Sequence, residues 1–233
     1  MRLRITATAL CLFAIACSGQ STTTAYDDLG AFTGIRASSA FHVDVERGEI
    51  HRAVVTVPEK YADRVAVEVE GGTLVLRLRR GRDVNLRGRD RLSATVTLPA
   101  LDAVEASGAS TVRSDEAWEA DGFAIDASGA SDLDLRLDVG SLAISASGAS
   151  DVELAGRASR LTIDASGASD VDAGDVVTAD VTVTSSGASD VEVHADESIT
   201  ATASGGSDIR YTGAAERVRV SASSGADIHG PRG

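Results

Sequence analysis

"IDASGASDLDL" spans Ile125–Leu135, and nearly the same eleven letters return as "ISASGASDVEL" (Ile144–Leu154), "IDASGASDVDA" (Ile163–Ala173) and "VTSSGASDVEV" (Val183–Val193). Aligned on the central glycine, the motif falls at Gly108, Gly129, Gly148, Gly167, Gly187 and Gly205, with Ser224 in the seventh place, in steps of 21, 19, 19, 20, 18 and 19 residues. A fixed period near twenty is the signature of a solenoid, in which each repeat buries its inner face only against its neighbours.

The columns decide which solenoid. Six residues before the marker stand Asp102, Phe123, Leu142, Leu161, Val181, Ile199 and Val218; four before it stand Val104, Ile125, Ile144, Ile163, Val183, Ala201 and Val220. Alanine or serine follows two before it, and aliphatics resume four after it, from Val112 and Leu133 to Ile209 and Ile228. Apolar residues spaced by two mark strands with one buried face. The intervening "SGAS" combines glycine, which reaches backbone angles other residues avoid, with small neighbours that fit a stacked corner. Each repeat therefore reads as strand, turn, strand and a variable return, one coil of a parallel β-helix. Leucine-rich repeats lack this pattern, and a propeller blade needs about twice the length.

The N-terminal third keeps the period of two without the motif. "FHVDV", "AVVTV", "VAVEV", "TLVLRL" and "ATVTL" predict five short strands, and "EGGT" (Glu70–Thr73) predicts a hairpin turn. With no Pro/Ser-rich linker after it, this part is expected to cap the solenoid's open edge within a single domain over 31–233, the cap over 31–100 and the coils over 101–230. Aromatics are only 3% of a chain that is 43% hydrophobic, so the interior must be aliphatic.

Residues 1–16 read as a signal peptide: Arg2 and Arg4, then the apolar run "ITATALCLFAIA" and small residues before Cys17. "AIAC" resembles a lipobox, which makes Cys17 the lipidated N-terminus and 17–30 a tether; the alternative is plain secretion. Cys11 leaves with the signal, so the mature chain has no internal disulfide. The expected location is the exported cell envelope, as an outer-membrane lipoprotein facing the periplasm or the cell surface. Loss of the signal moves the net charge from −13 to about −15, a balance that repels nucleic acid and attracts cations.

"FTGIRASSAFHVDV", the "VEVEGGTLVLRL" hairpin, the "VTLPALDAVEASGAS" entry and the serial "SGASD" turns resemble the bacterial auto-transporter adhesin family with a head GIN domain, over about Phe32 to Ile228. The family's turn more often reads SGSGD. No Gly-Ile-Asn tripeptide occurs here, the nearest being Gly34-Ile35-Arg36, so no role for that tripeptide carries over. The resemblance implies a right-handed β-helix in a secreted or surface protein. The expected fold is thus all-β, a right-handed parallel β-helix of 19–20-residue coils with an N-terminal β-rich cap.

No residues gather for catalysis. The four histidines, 42, 51, 194 and 229, show no ligand spacing, and no Gly-x-Ser-x-Gly elbow is present. A non-enzymatic protein is expected. Three places after each marker stand Asp132, Asp151, Asp170, Asp190, Asp208 and Asp227, a ladder that is solvated, holds cations such as calcium, or bonds the turn backbone. The calcium β-roll repeat is a different, nine-residue pattern. Opposing the acidic trend, Arg79, Arg80, Arg82, Arg87 and Arg89 form a candidate anion patch. No aromatic is interleaved for base stacking.

Two functions follow. One is an adhesin-like envelope module, membrane-attached by its lipid, that binds a glycan or an envelope protein. The other is a structural spacer that self-associates end to end, with a calcium-binding solenoid as a third and weaker possibility.

Overall fold

The computed structural model describes residues 21–79 and 91–231. It is nearly all-β, a solenoid of about 7 turns. The strands are β1 (Ser21–Tyr26), β2 (Gly34–Ala37), β3 (Phe41–Arg47), β4 (Arg52–Pro58), β5 (Val65–Glu70), β6 (Thr73–Leu78), β7 (Leu92–Leu98), β8 (Ala103–Ala106) and β9 (Thr111–Ala127). Then come β10 (Asp132–Ala146), β11 (Asp151–Ala165), β12 (Asp170–Gly187), β13 (Asp190–Gly205), β14 (Asp208–Thr212), β15 (Arg217–Ala222) and β16 (Asp227–His229).

From β9 to β13 each strand is an entire coil less its corner, because the return expected as a loop is itself paired. In β10 and β11, for example, Leu137, Asp138 and Val139 stand opposite Gly156, Arg157 and Ala158. Burial alternates through Leu133, Leu135, Leu137 and Val139, slips one residue near Gly140–Ser141, and resumes at Leu142, Ile144 and Ala146. That slip is a second bend, so each coil has two sheet faces joined by the glycine corner and by this milder turn.

Irregular steps in the repeat have a local cause. In the 20-residue coil, Gly174 and Asp175 form a bulge between the buried Ala173 and Val176, and the Asp172 carboxylate accepts a 3.1 Å bond from the Gly174 N–H. The 21-residue coil carries its extra residues at Ser114–Glu116, opposite the register shift between Asp134 and Arg136. Bulges absorb insertions while the columns on either side keep their register.

The corners show why their composition is so narrow. Gly129, Gly148, Gly167, Gly187 and Gly205 all have φ between +79° and +85°. Each corner also stacks by backbone bonds, as in Ala149 N–H to the Gly129 carbonyl at 2.7 Å. Behind each glycine a buried serine, Ser131 or Ser150 for example, donates back to the carbonyl three residues earlier, at 3.1 and 2.6 Å.

The N-terminal third is more than a cap. Strands β2 and β3 form a full coil whose corner is Ser38–Ala40, with Ser39 and Ala40 at φ 69° and 61°. That coil lies between β6–β7 on one side and β8–β9 on the other, so stacking order departs from chain order. The cap proper is narrower than 31–100: β4 runs antiparallel to β7, β1 antiparallel to β4, and β5 antiparallel to β6. Residues 21–26 of the expected tether are therefore strand β1. The hairpin turn is at Gly71–Gly72, both at positive φ as a type I′ turn requires.

The interior is a continuous aliphatic column from Val43 and Leu76 to Ile209, with Trp118 its largest side chain. In the first repeat the buried position is Leu101 rather than the aligned Asp102, which is exposed. Among the described residues β15 pairs only with β13 and β16 only with β14, and Val218 and Val220 are 43% and 49% exposed.

Candidate functional site

The six aspartates predicted as a ladder stand in mutual register. Asp132 faces Asp151, which faces Asp170, then Asp190, Asp208 and Asp227, with Thr111 leading. A second column, unnoticed in the sequence, runs beside it: Asp134, Glu153, Asp172 and Glu192, bracketed by Arg113 on one side and by Arg210 and His229 on the other. Both columns point outward because i and i+2 share a face of a strand. The same alignment, inspected two positions further on, carries that signal.

Carboxylates about 4.8 Å apart raise one another's proton affinity. At the second rung of the ladder, partial burial together with Asp170, Asp132 and Asp172 holds the Asp151 carboxyl above its ordinary range. Among the described residues no ladder aspartate side chain bonds the corner backbone; the Asp132 carboxylate accepts only from the Thr111 hydroxyl at 3.4 Å, and the serine hydroxyls make the side-chain bonds to the corner instead. No group of three or more His, Cys, Asp or Glu among the described residues is placed to hold a metal ion.

Grooves interrupt this face among the described residues. A small one of about 170 Å³ lies over Asp170, Asp190 and Asp208, closed by Arg210 and His229. A larger one of about 670 Å³ lies where the β2–β3 coil meets the first repeat, around Arg113.

Of the anion patch, Arg79 donates to Glu68 at 3.2 Å, while Arg80, Arg82, Arg87 and Arg89 lie outside the described residues, as does Cys17. The histidines stay apart. His51 Nε2 donates to the Phe32 carbonyl at 3.1 Å, and His194 lies 2.9 Å from Thr212 Oγ1 and 3.0 Å from Asp196 Oδ1. On the second face the Arg36 fork grips both oxygens of Glu105, which holds that carboxyl below its ordinary range despite the opposing effect of burial.

The family model described as "Putative auto-transporter adhesin, head GIN domain" matches residues 31–215. The chain belongs to this family. Several crystal structures share the fold of this GIN-domain chain. A putative adhesin from Bacteroides fragilis superposes with a TM-score of 0.85 at 22% identity, over 92% of this chain and 98% of that one. A putative adhesin from Parabacteroides merdae gives 0.71 at 19%, over 92% and 97%. A putative lipid binding protein from Parabacteroides distasonis gives 0.69 at 17%, over 92% and 98%. At these identities the likeness is one of fold. No curated protein matches this GIN-domain chain. Among its described residues no helix is long and apolar enough to cross a membrane.

Proposed function

We propose that this GIN-domain chain is a non-enzymatic, adhesin-like module of the cell envelope, held there by lipid on Cys17, whose outward face binds a glycan or a neighbouring envelope protein. The supporting observation is the regular face itself: two columns of polar side chains at strand spacing, continuous from β9 to β14 and β16. A surface that repeats about every 4.8 Å suits a ligand that is itself extended and repetitive. Screening purified mature protein against glycans and envelope extracts tests the binding; no retained ligand in either set would contradict it. Fractionating cells that express Cys17→Ser tests the anchor. The variant belongs in the soluble fraction, since acyl chains supply the membrane affinity, and persistent membrane association would refute lipidation.

The spacer reading draws support from the exposed Val218 and Val220 on the open final coil. Light scattering across a concentration series, with Val218→Thr/Val220→Thr as the comparison, separates this from a monomeric binder.

A further inference from the structure

The last coil, made of β15 and β16, offers a free edge on both sheet faces at once. Among the described residues each of these strands is paired along one side only, and exposed edge backbone is a template for another strand. The Ser223 N–H donates to the Ala203 carbonyl at 3.0 Å, and the Asp227 N–H to the Ser207 carbonyl at 3.1 Å. Backbone groups alternate sides along a strand, so with the observed registers the N–H and C=O of Val218, Val220 and Ala222, and those of Ile228, point away from the stack. The side chains of Val218 and Val220 continue the columns of Ile199 and Ala201, yet both are exposed.

These two edges are self-complementary about a single axis. Val220 lies four residues before the corner position Ser224 and Ile228 four residues after it, so the two stand across the coil from each other, one on each sheet face. A two-fold axis through both lays a second copy's β15 antiparallel to β15 and its β16 antiparallel to β16. Val220 then meets Val220, Ile228 meets Ile228 and Val218 meets Ala222, each with its free backbone groups facing the other. The charges agree with this register. Asp227 stands opposite His229 of the second copy, and Arg219 opposite Ser221 rather than another arginine. Arg217 is already held within its own chain by Asp180 and Glu197, at 3.5 and 3.6 Å.

Resting on the self-association reading above, we infer that the last coil is a two-fold junction with a second copy of this chain, closed by antiparallel pairing of β15 with β15 and of β16 with β16. An interface that uses the same patch on both copies closes at two and does not grow into a filament. It covers the exposed valines, satisfies the edge backbone and carries both sheets through the junction, with the N-terminal caps at the outer ends of one doubled stack.

The test uses the purified mature chain carrying Cys17→Ser, which leaves it without cysteine. Light scattering across a concentration series should show monomer and dimer and nothing larger. Single cysteines then report the geometry. Cα atoms across a hydrogen-bonded antiparallel pair lie about 5.5 Å apart, within the roughly 4.4–6.8 Å that a disulfide spans. Val220→Cys and Ile228→Cys should therefore each give disulfide-linked dimers under mild oxidation, and Ser221→Cys should not. Asp227→Lys and His229→Asp should each weaken the dimer about tenfold or more, and the two together should restore it. Circular dichroism confirms that each variant is folded; if the charge variants are not, the cysteine comparison decides. Linking of Ser221→Cys as ready as that of Val220→Cys, a double exchange that rescues nothing, or species larger than the dimer would overturn the junction while self-association stands. A chain that stays monomeric at every concentration would overturn both.

Discussion

A Cβ placed on Gly148 would stand 2.5 Å from the carbonyl oxygen of Gly129 in the coil below. The same relation recurs up the stack, with Gly167 2.6 Å from the Gly148 oxygen and Gly187 2.5 Å from that of Gly167. Glycine is thus required twice at each corner, by its left-handed backbone and by the approach of the next corner. Gly148→Ala should cost about 3 kcal/mol or more, the left-handed penalty plus a clash with immovable backbone. Gly71→Ala, also at positive φ but with nothing within 4 Å, should cost only about 1 kcal/mol. Urea unfolding of the two variants measures the difference, and equal losses would mean that stacking does not constrain the corner.

Ser150 is 2% exposed and donates to the Ser147 carbonyl at 2.6 Å. Ser150→Ala should destabilise by about 1 kcal/mol, because the part-buried Ser147 carbonyl loses a donor. A Ser150→Ala variant as stable as the parent in the same unfolding assay would remove the serine column from the account of the corner.

The Asp151 carboxyl titrates above its ordinary value in the folded protein, through burial first and through Asp170, Asp132 and Asp172 next. Between the unfolded and folded pKa values the native state holds more proton, so stability falls as pH rises through that window. Asp151→Asn removes this loss. The variant should be at least as stable as the parent at neutral pH, and its melting temperature should fall less as pH rises above the ordinary aspartate range. A variant clearly less stable at neutral pH would show that the ladder is not under mutual repulsion.

The repeat was legible because identical residues recur in identical environments: aliphatics at alternate positions, glycine at the corner and aspartate just after it keep their columns in the structure. The returns were not, because Arg136–Ser141 and Ala155–Arg160 share little sequence, yet both pair by backbone, which no side chain encodes. The β2–β3 corner was hidden for a related reason. Its "SSA" has no glycine, and since Ser39 faces Gly108, a residue without a side chain, the pair can still stack. Alternation alone likewise cannot reveal that this coil stacks between two segments that follow it in the chain. The groove arises from a two-residue excess that appears in the sequence only as one step of 21 among steps near 19. Trp118, the chain's single tryptophan, marks the same coil.

The central claim is that one period is one structural unit whose columns meet their like across every junction. Deleting Ile144–Thr162 joins Ala143 to Ile163, the register partner of the residue removed, so each column continues. Deleting only Ile144–Glu153 joins Ala143 to Leu154 and leaves half a coil out of register with both neighbours. Urea unfolding of the two purified deletion proteins decides the matter. The account predicts a cooperative transition for the nineteen-residue deletion, lowered by about one coil's interface, and gross loss of structure for the ten-residue one. A whole-period deletion that unfolds as badly as the half-period deletion would contradict it.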